Sequence, residues 1–186
     1  MMKRIFDITF VMFFFPLWFP LVVVLIISSL AFNGRPIFFL QHRGGYKNKK
    51  ILLIKFKTIN SNNHINIYSN YLRFFKLDEL PQLINILKGD LSLVGPRPLV
   101  YEYKKLYKKK HLKRFKVMPG LTGWSQIKST NTTTWSKKFD LDLWYVENHN
   151  FFLDVKIIFQ TIKKIIISFF IKKKKSVIIK KFNGSN

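Results

Sequence analysis

Residues 8–32, ITFVMFFFPLWFPLVVVLIISSLAF, form an uncharged run of 25 residues. A straight helix of that length is about 37 Å long, against a bilayer hydrocarbon core of about 30 Å. A segment this apolar must leave water, and that restricts the fold more than anything else in the chain. The run is too long for the core of a secretory signal, and no clean small-residue cleavage site follows it. Pro16 and Pro20 fall near its middle, where each removes a helical hydrogen bond and invites a kink. Both flanks are basic, with Lys3 and Arg4 before the run and Arg35, His42 and Arg43 after it. A helix that crosses a membrane usually carries its positive bias on one side only. Two readings therefore stay open: a kinked span, or a re-entrant hairpin that enters and leaves by the same leaflet.

The remaining sequence is basic and apolar at once. Its 186 residues suit one domain, or a small domain plus an anchor. They carry 33 Lys and Arg against 9 Asp and Glu, a formal charge of +24, yet 48% of them are hydrophobic. Disordered basic tails lack that apolar content. A soluble nucleic-acid binder could share the charge without needing the apolar excess. High charge with a mean hydropathy of +0.05 points to a chain that meets anionic lipid. The absence of cysteine excludes disulfides, a thiol nucleophile and thiolate metal sites.

Two further segments read as interfacial. Ile165 to Ile171 is apolar but short, and lies between Lys163-Lys164 and Lys172 to Lys175, whose ammonium groups could reach headgroups. Tyr103 to Lys116 holds eight Lys or Arg and no acid, interleaved with Leu106, Tyr107, Leu112 and Phe115. It reads as a basic helix, either solvated or lying on anionic lipid.

Because acids are scarce, the adjacent pair Asp78-Glu79 stands out. Leu80, Leu83, Ile84 and Leu87 recur at helical spacing, so a helix runs to about Lys88 and stops at Gly89. Pro81 is tolerable only in its first turn, which puts the acid pair at the N-terminus. The simplest role for Asp78 there is an N-cap, with Glu79 complementing the helix dipole. The sequence Gly95-Pro-Arg-Pro98 follows soon after, and its prolines hold Arg97 in one direction. A fixed guanidinium suits bidentate phosphate recognition, and paired carboxylates supply hard ligands for Mg²⁺ and a phosphorylated substrate. No P-loop or GxGxxG is present, and His42, His64, His111 and His149 lack metal-ligand spacing. Residues 36–43 and 51–58 read as a β-hairpin around Gly44-Gly45, and Pro119 to Gln126 as an ordered loop with a buried Trp124.

KRIFD (3–7), PIFFLQHRGG (36–45), KFKT (55–58), LDELPQLINILKGDLSLVGPRPL (77–99) and PGLTGWSQ (119–126) together closely resemble the bacterial sugar transferases. Within them the chain is similar to the small monotopic phosphoglycosyl transferases, from Lys3 through the FDLD of residues 139–142 to the KFNG of 181–184. The resemblance implies an α+β, mainly helical fold. Its parts would be a re-entrant helix-break-helix anchor (1–34) and a catalytic domain (35–186) with interfacial helices and a small β-hairpin. It implies residence on the cytoplasmic face of a bacterial inner membrane. The implied reaction moves a phosphosugar from a UDP-sugar to polyprenol phosphate and releases UMP, which starts glycan assembly. Asp78 would be the nucleophile, Glu79 its partner, and both would hold Mg²⁺. Lys55, Lys57, Arg73 and Arg97 would face the nucleotide or its phosphates.

The chain also departs from that family's pattern. Phe19 replaces a serine common before the kink proline, and Pro16 is additional. Lys76 occupies a position where small polar residues are common, and Thr130 one that resembles a nucleotide-linked arginine. The stretch from Thr58 to Leu72 is short and Asn-rich. The rival readings are a non-catalytic basic protein on anionic lipid or nucleic acid, and an inactive transferase-like scaffold. Nucleic acid is not an expected partner of the transferase.

Overall fold

Backbone hydrogen bonding decides how the apolar run folds. In the computed structural model, which describes residues 2–59, 64–130, 132–170 and 182–184, the run lies in two helices, α1 (Met2–Phe13) and α2 (Phe15–Asn33). Phe14 breaks the path between them. Pro16 falls in the first turn of α2, where its missing N–H would have had no helical partner, while Pro20 lies inside the helix. The break exposes the Val11 carbonyl, and the Trp18 indole Nε1 donates to it at 2.9 Å. The indole thus satisfies a carbonyl at the break, which lies before Pro16, whereas Pro20 continues inside α2.

The described chain divides into two compact units, Met1–Gln41 with Leu52–Gly89, and His42–Ile51 with Asp90–Asn186. The hairpin β1 (Phe38–Gly44) and β2 (Lys50–Phe56) forms as the sequence predicts, its turn carried by a 3₁₀ segment at Tyr46–Asn48.

In the first unit, α3 (Ile67–Phe74) and α4 (Gln82–Lys88) join the two long helices. α4 ends as expected at Gly89, whose φ of +91° suits glycine. Arg4 of α1 donates to the Ile86 carbonyl and, at 2.7 Å, to that of Leu87, capping the free C-terminal carbonyls of α4. At the far end of α2, Asn33 Nδ2 donates to the Lys57 carbonyl at 2.9 Å, and its Oδ1 accepts from Asn66 and Ser69. The Ser28 and Ser29 hydroxyls lie 2.8 and 3.0 Å from the Tyr68 hydroxyl. α2 is long and apolar enough to cross a membrane, and only 22% of its most apolar window is buried. Leu17, Ile27 and Phe32 are each more than 60% exposed, so this is not the core helix of a water-soluble domain.

In the second unit, β3 (Ser92–Val94) pairs in parallel with β4 (Gly120–Thr122), in the register Ser92 to Gly120. A Cβ at Gly95 would strike the Met118 carbonyl, so only glycine permits this approach. α5 (Trp124–Lys128), α6 (Trp135–Asn148) and α7 (Phe151–Phe170) complete the unit. Leu99, Phe139 and Phe182 form a buried cluster edged by Tyr103, Tyr107 and Trp135.

Two expectations need correction here. Tyr103 to Lys116 is not one surface helix: it is two 3₁₀ segments, Tyr101–Leu106 and Lys109–Lys116, interrupted at extended Tyr107. Its lysines are exposed, but His111, Arg114 and Phe115 are buried against α6, so the stretch packs inward. Trp124 is half-buried rather than buried, because it starts α5 and stacks on the exposed Trp144 with centroids 4.7 Å apart. The apolar patch near Ile165 is the end of a 20-residue helix that starts at Phe151. Phe152, Val155, Phe159, Ile162 and Ile166 make an exposed apolar stripe along it. Ile171 and Lys172 to Lys175 lie outside the described residues, as do Lys181 of KFNG and part of the Asn-rich stretch.

Candidate active site

The acid pair sits on a single 3₁₀ turn, Leu77–Glu79, between α3 and α4. Lys76 opens it in the left-handed region with φ +60°, which costs a side-chain-bearing residue roughly 1–2 kcal/mol. This corrects the simplest sequence expectation. Pro81, not Asp78, is the N-cap of α4, and no side-chain cap bond forms there. Asp78 Oδ1 is buried and has no hydrogen-bond partner. A capping carboxylate would have spent that oxygen on a backbone N–H, whereas here it is left available.

Glu79 is 9% exposed and accepts from Lys55 Nζ of β2 at 2.7 Å. Strand β2 is held in register by Asn85 of α4. Its Oδ1 accepts from Ile54 N at 3.1 Å and its Nδ2 donates to the Leu52 carbonyl at 2.8 Å. Burial, and then the Glu79 charge, push the Asp78 carboxyl above its ordinary value, while Lys55, Lys76 and Arg73 pull it down. The structure thus brings Asp78, Glu79, Lys55 and Arg73 together, with Arg73 exposed at the end of α3. Lys57 follows β2, fixed through its backbone to Ile37 and Asn33, and its side chain forms no ion pair among the described residues.

Arg97 is half-buried in the second unit, in a recess with Gly44, Gly45, Pro98, Phe115 and Pro119. Its carbonyl accepts from Arg114 Nη2 at 2.7 Å, and the same nitrogen donates to Asp142 Oδ2 at 2.7 Å. Ser125 donates to Asp142 Oδ1 at 2.6 Å, which completes a buried cluster. Nothing in the spacing of Arg114 and Asp142, 28 residues apart, reveals them as partners, although Asp142 belongs to the FDLD segment. Thr130 is exposed and bonds within a local cluster with Thr132 and Thr133.

The residues present fit Mg²⁺. The dyad offers hard carboxylate oxygens, one of them buried and unpartnered, and this cation is commonly held by one or two carboxylates plus substrate phosphates. No cluster of three or more His, Cys, Asp or Glu exists among the described residues, so the substrate would complete the shell.

Known proteins give the arrangement its context. The family model for bacterial sugar transferases matches residues 1–168. The chain is 41% identical over 195 aligned positions to an uncharacterised sugar transferase, EpsL, of Bacillus subtilis, covering 99% of this chain and 96% of that protein. It is 31% identical to a UDP-N-acetylgalactosamine-undecaprenyl-phosphate N-acetylgalactosaminephosphotransferase of Aeromonas hydrophila, over 90% of this chain and 44% of the relative. It is 30% identical to a UDP-glucose:undecaprenyl-phosphate glucose-1-phosphate transferase of Escherichia coli, over 88% of this chain and 40% of the relative. The chain therefore spans less than half the length of these last two relatives. With a match that covers all but the last residues, the chain belongs to the bacterial sugar transferase family.

Proposed function

We propose that the chain transfers a sugar-1-phosphate from a UDP-sugar to undecaprenyl phosphate, with Asp78 as the nucleophile. The observation that carries this reading is the buried, unpartnered Asp78 Oδ1 beside the Glu79–Lys55 pair in a sugar transferase chain. An Asp78 carboxylate oxygen attacks the sugar-bearing phosphorus. The bond from that phosphorus to the bridging oxygen breaks, and UMP leaves with the electron pair. A phosphate oxygen of undecaprenyl phosphate then attacks the same phosphorus, displaces the carboxylate, and yields an undecaprenyl diphosphate-sugar.

Mg²⁺, held by Asp78 and Glu79, would neutralise diphosphate charge. Lys55 fixes Glu79 and contributes positive potential at the turn, as Arg73 and Lys76 do from its other end. The same reading assigns Arg97, set between prolines and held by Arg114, to a substrate phosphate. Asp78 must be ionised to attack, so turnover falls as pH drops through its raised pKa.

The membrane reading is a re-entrant anchor, monotopic on the cytoplasmic face. What supports it is that both ends of the apolar run are tied to one unit: Arg4 to α4, and Asn33 to Lys57 and α3. A straight helix over residues 2–33 would be about 48 Å long. The exposed apolar stripe of α7 suits lipid contact at the interface.

The test is UMP release by purified protein with undecaprenyl phosphate, Mg²⁺ and a panel of UDP-sugars that includes N-acetylhexosamines and glucose. Release with at least one donor, absent in Asp78→Asn, is the expected result. Equal release by the variant removes Asp78 from the chemistry. Binding governed only by salt, with no response to nucleotide, would favour a non-catalytic basic surface protein.

A further inference from the structure

One buried group beside the dyad is not used by the reaction as written. Gln82 is the first residue of α4, only 3% exposed, and its amide Nε2 is buried without a hydrogen-bond partner. It lies four residues after Asp78, one turn further along the right-handed path from Leu77 through Leu80 and Pro81 into α4. The acid turn and the first residue of α4 therefore hold two complementary orphans four residues apart, an acceptor at Asp78 Oδ1 and a donor at Gln82 Nε2, that do not satisfy each other. A buried donor or acceptor without a partner is costly, and native proteins keep few of them. Ten buried side-chain atoms lack a partner among the described residues, but these two are a donor and an acceptor one helical turn apart beside the dyad, whereas Asn85 on the same helix makes both of its bonds.

We infer that Gln82 Nε2 donates a hydrogen bond to a non-bridging oxygen of the phosphoryl group while that group is attached to Asp78. The inference rests on the proposed reaction. Transfer of a phosphoryl group to Asp78 places three acceptor oxygens at the turn where the amide has none, and it consumes the orphan carboxylate oxygen in the new P–O bond. Both unsatisfied atoms are thereby matched in one step. The donor strengthens its bond as charge develops on the phosphoryl oxygens, and so favours the transferring state over the free enzyme. An amide is suited to this place because, unlike lysine, it adds no charge that would pair with Asp78 and blunt it. A glutamate of the same shape would present an acceptor to the phosphate and repel it.

The experiment compares wild type with Gln82→Met, Gln82→Glu and Asp78→Asn in two assays and a melting curve. The first assay is UMP release with the donor panel. The second is binding of fluoroberyllate, a tetrahedral mimic of a carboxylate-bound phosphoryl group, followed by ¹⁹F NMR with Mg²⁺ present. Gln82→Met removes an orphan amide without a change of volume class, so its Tm is expected at or above that of wild type. Its turnover and its fluoroberyllate affinity are expected to fall at least tenfold, on the order of what one lost oxyanion donor costs. Gln82→Glu is expected to lose more. If Gln82→Met melts lower but binds fluoroberyllate like wild type, Gln82 is only structural and the inference is wrong. If wild type binds fluoroberyllate and Asp78→Asn does not, while Gln82→Met is indistinguishable from wild type, the reaction stands and this inference alone falls. Failure of wild type in both assays would overturn the reaction and this inference together.

Discussion

Asp142 is buried and Asp78 half-buried with a buried Oδ1, both are lifted above their ordinary pKa by desolvation, and the chain treats them in opposite ways. Asp142 has its oxygens filled by Arg114 at 2.7 Å and Ser125 at 2.6 Å, and those bonds oppose the upward push. Asp78 feels Lys55, Lys76 and Arg73 only through space, and its Oδ1 has no partner. A carboxylate whose bonding capacity is saturated holds elements together. One that is surrounded by cations yet left unbonded keeps an oxygen for a substrate. The +24 charge of the chain does not separate the two cases, but hydrogen-bond satisfaction does.

Exchanging the roles by mutation gives the largest effects. Asp78→Asn should remove essentially all UMP release, a loss of roughly 10⁴-fold or more, because the amide is no nucleophile. Its Tm should match or exceed that of wild type. The sign follows from the raised pKa: the folded protein holds that proton more tightly than the unfolded chain, so ionisation on raising pH costs stability. The advantage of Asp78→Asn in melting should thus be absent at acid pH and open as pH rises through the window between the ordinary and the raised value. If the variant is instead less stable at neutral pH, the oxygen was not unsatisfied.

Arg114→Leu should do the reverse, lowering stability by about 3–5 kcal/mol, because it leaves Asp142 buried and unpaired. Chemical denaturation of Arg114→Leu, Asp142→Leu and the double variant would measure this. The double variant should recover most of the loss. A strictly additive loss would mean that the pair is not coupled.

Lys55→Met separates the regions more finely. It removes the ammonium that donates to Glu79, at a cost of about 1–3 kcal/mol, and withdraws a charge that lowers the Asp78 pKa. The acid limb of the pH–rate profile should move to higher pH. A limb that stays in place would show that it reports another group. Least of all, Lys76→Asn should relieve left-handed strain, with stability gained by roughly 0.5–1 kcal/mol and the acid limb shifted slightly upward, since a cation is lost.

Local features of this fold were legible in the sequence, and long-range ones were not. The helix stop at Gly89 and the hairpin around Gly44-Gly45 depend on a few consecutive residues, and they formed where the pattern put them. The break in the apolar run was marked by its prolines, but the Trp18 bond to the Val11 carbonyl was not foreseeable from spacing. The dyad stood out by the scarcity of acids. Its N-cap role looked natural for an Asp three residues before Pro81, but the 3₁₀ turn after left-handed Lys76 moved the cap to Pro81. The basic stretch before Lys116 misled because a buried Arg114 looks like its exposed neighbours until Asp142, 28 residues away, is placed beside it. The parallel pairing of β3 with β4 was hidden for the same reason, since three-residue strands carry too little pattern to be read.

The most direct test of an unbonded, nucleophilic Asp78 is the intact mass of the protein after incubation with Mg²⁺ and the accepted UDP-sugar, without undecaprenyl phosphate. The account predicts an adduct of one sugar-phosphate, mapped to Asp78, with a matching equivalent of UMP and discharge on adding undecaprenyl phosphate. If UMP appears only when undecaprenyl phosphate is present, and the protein mass never changes, the acceptor attacks the donor directly and the account is wrong.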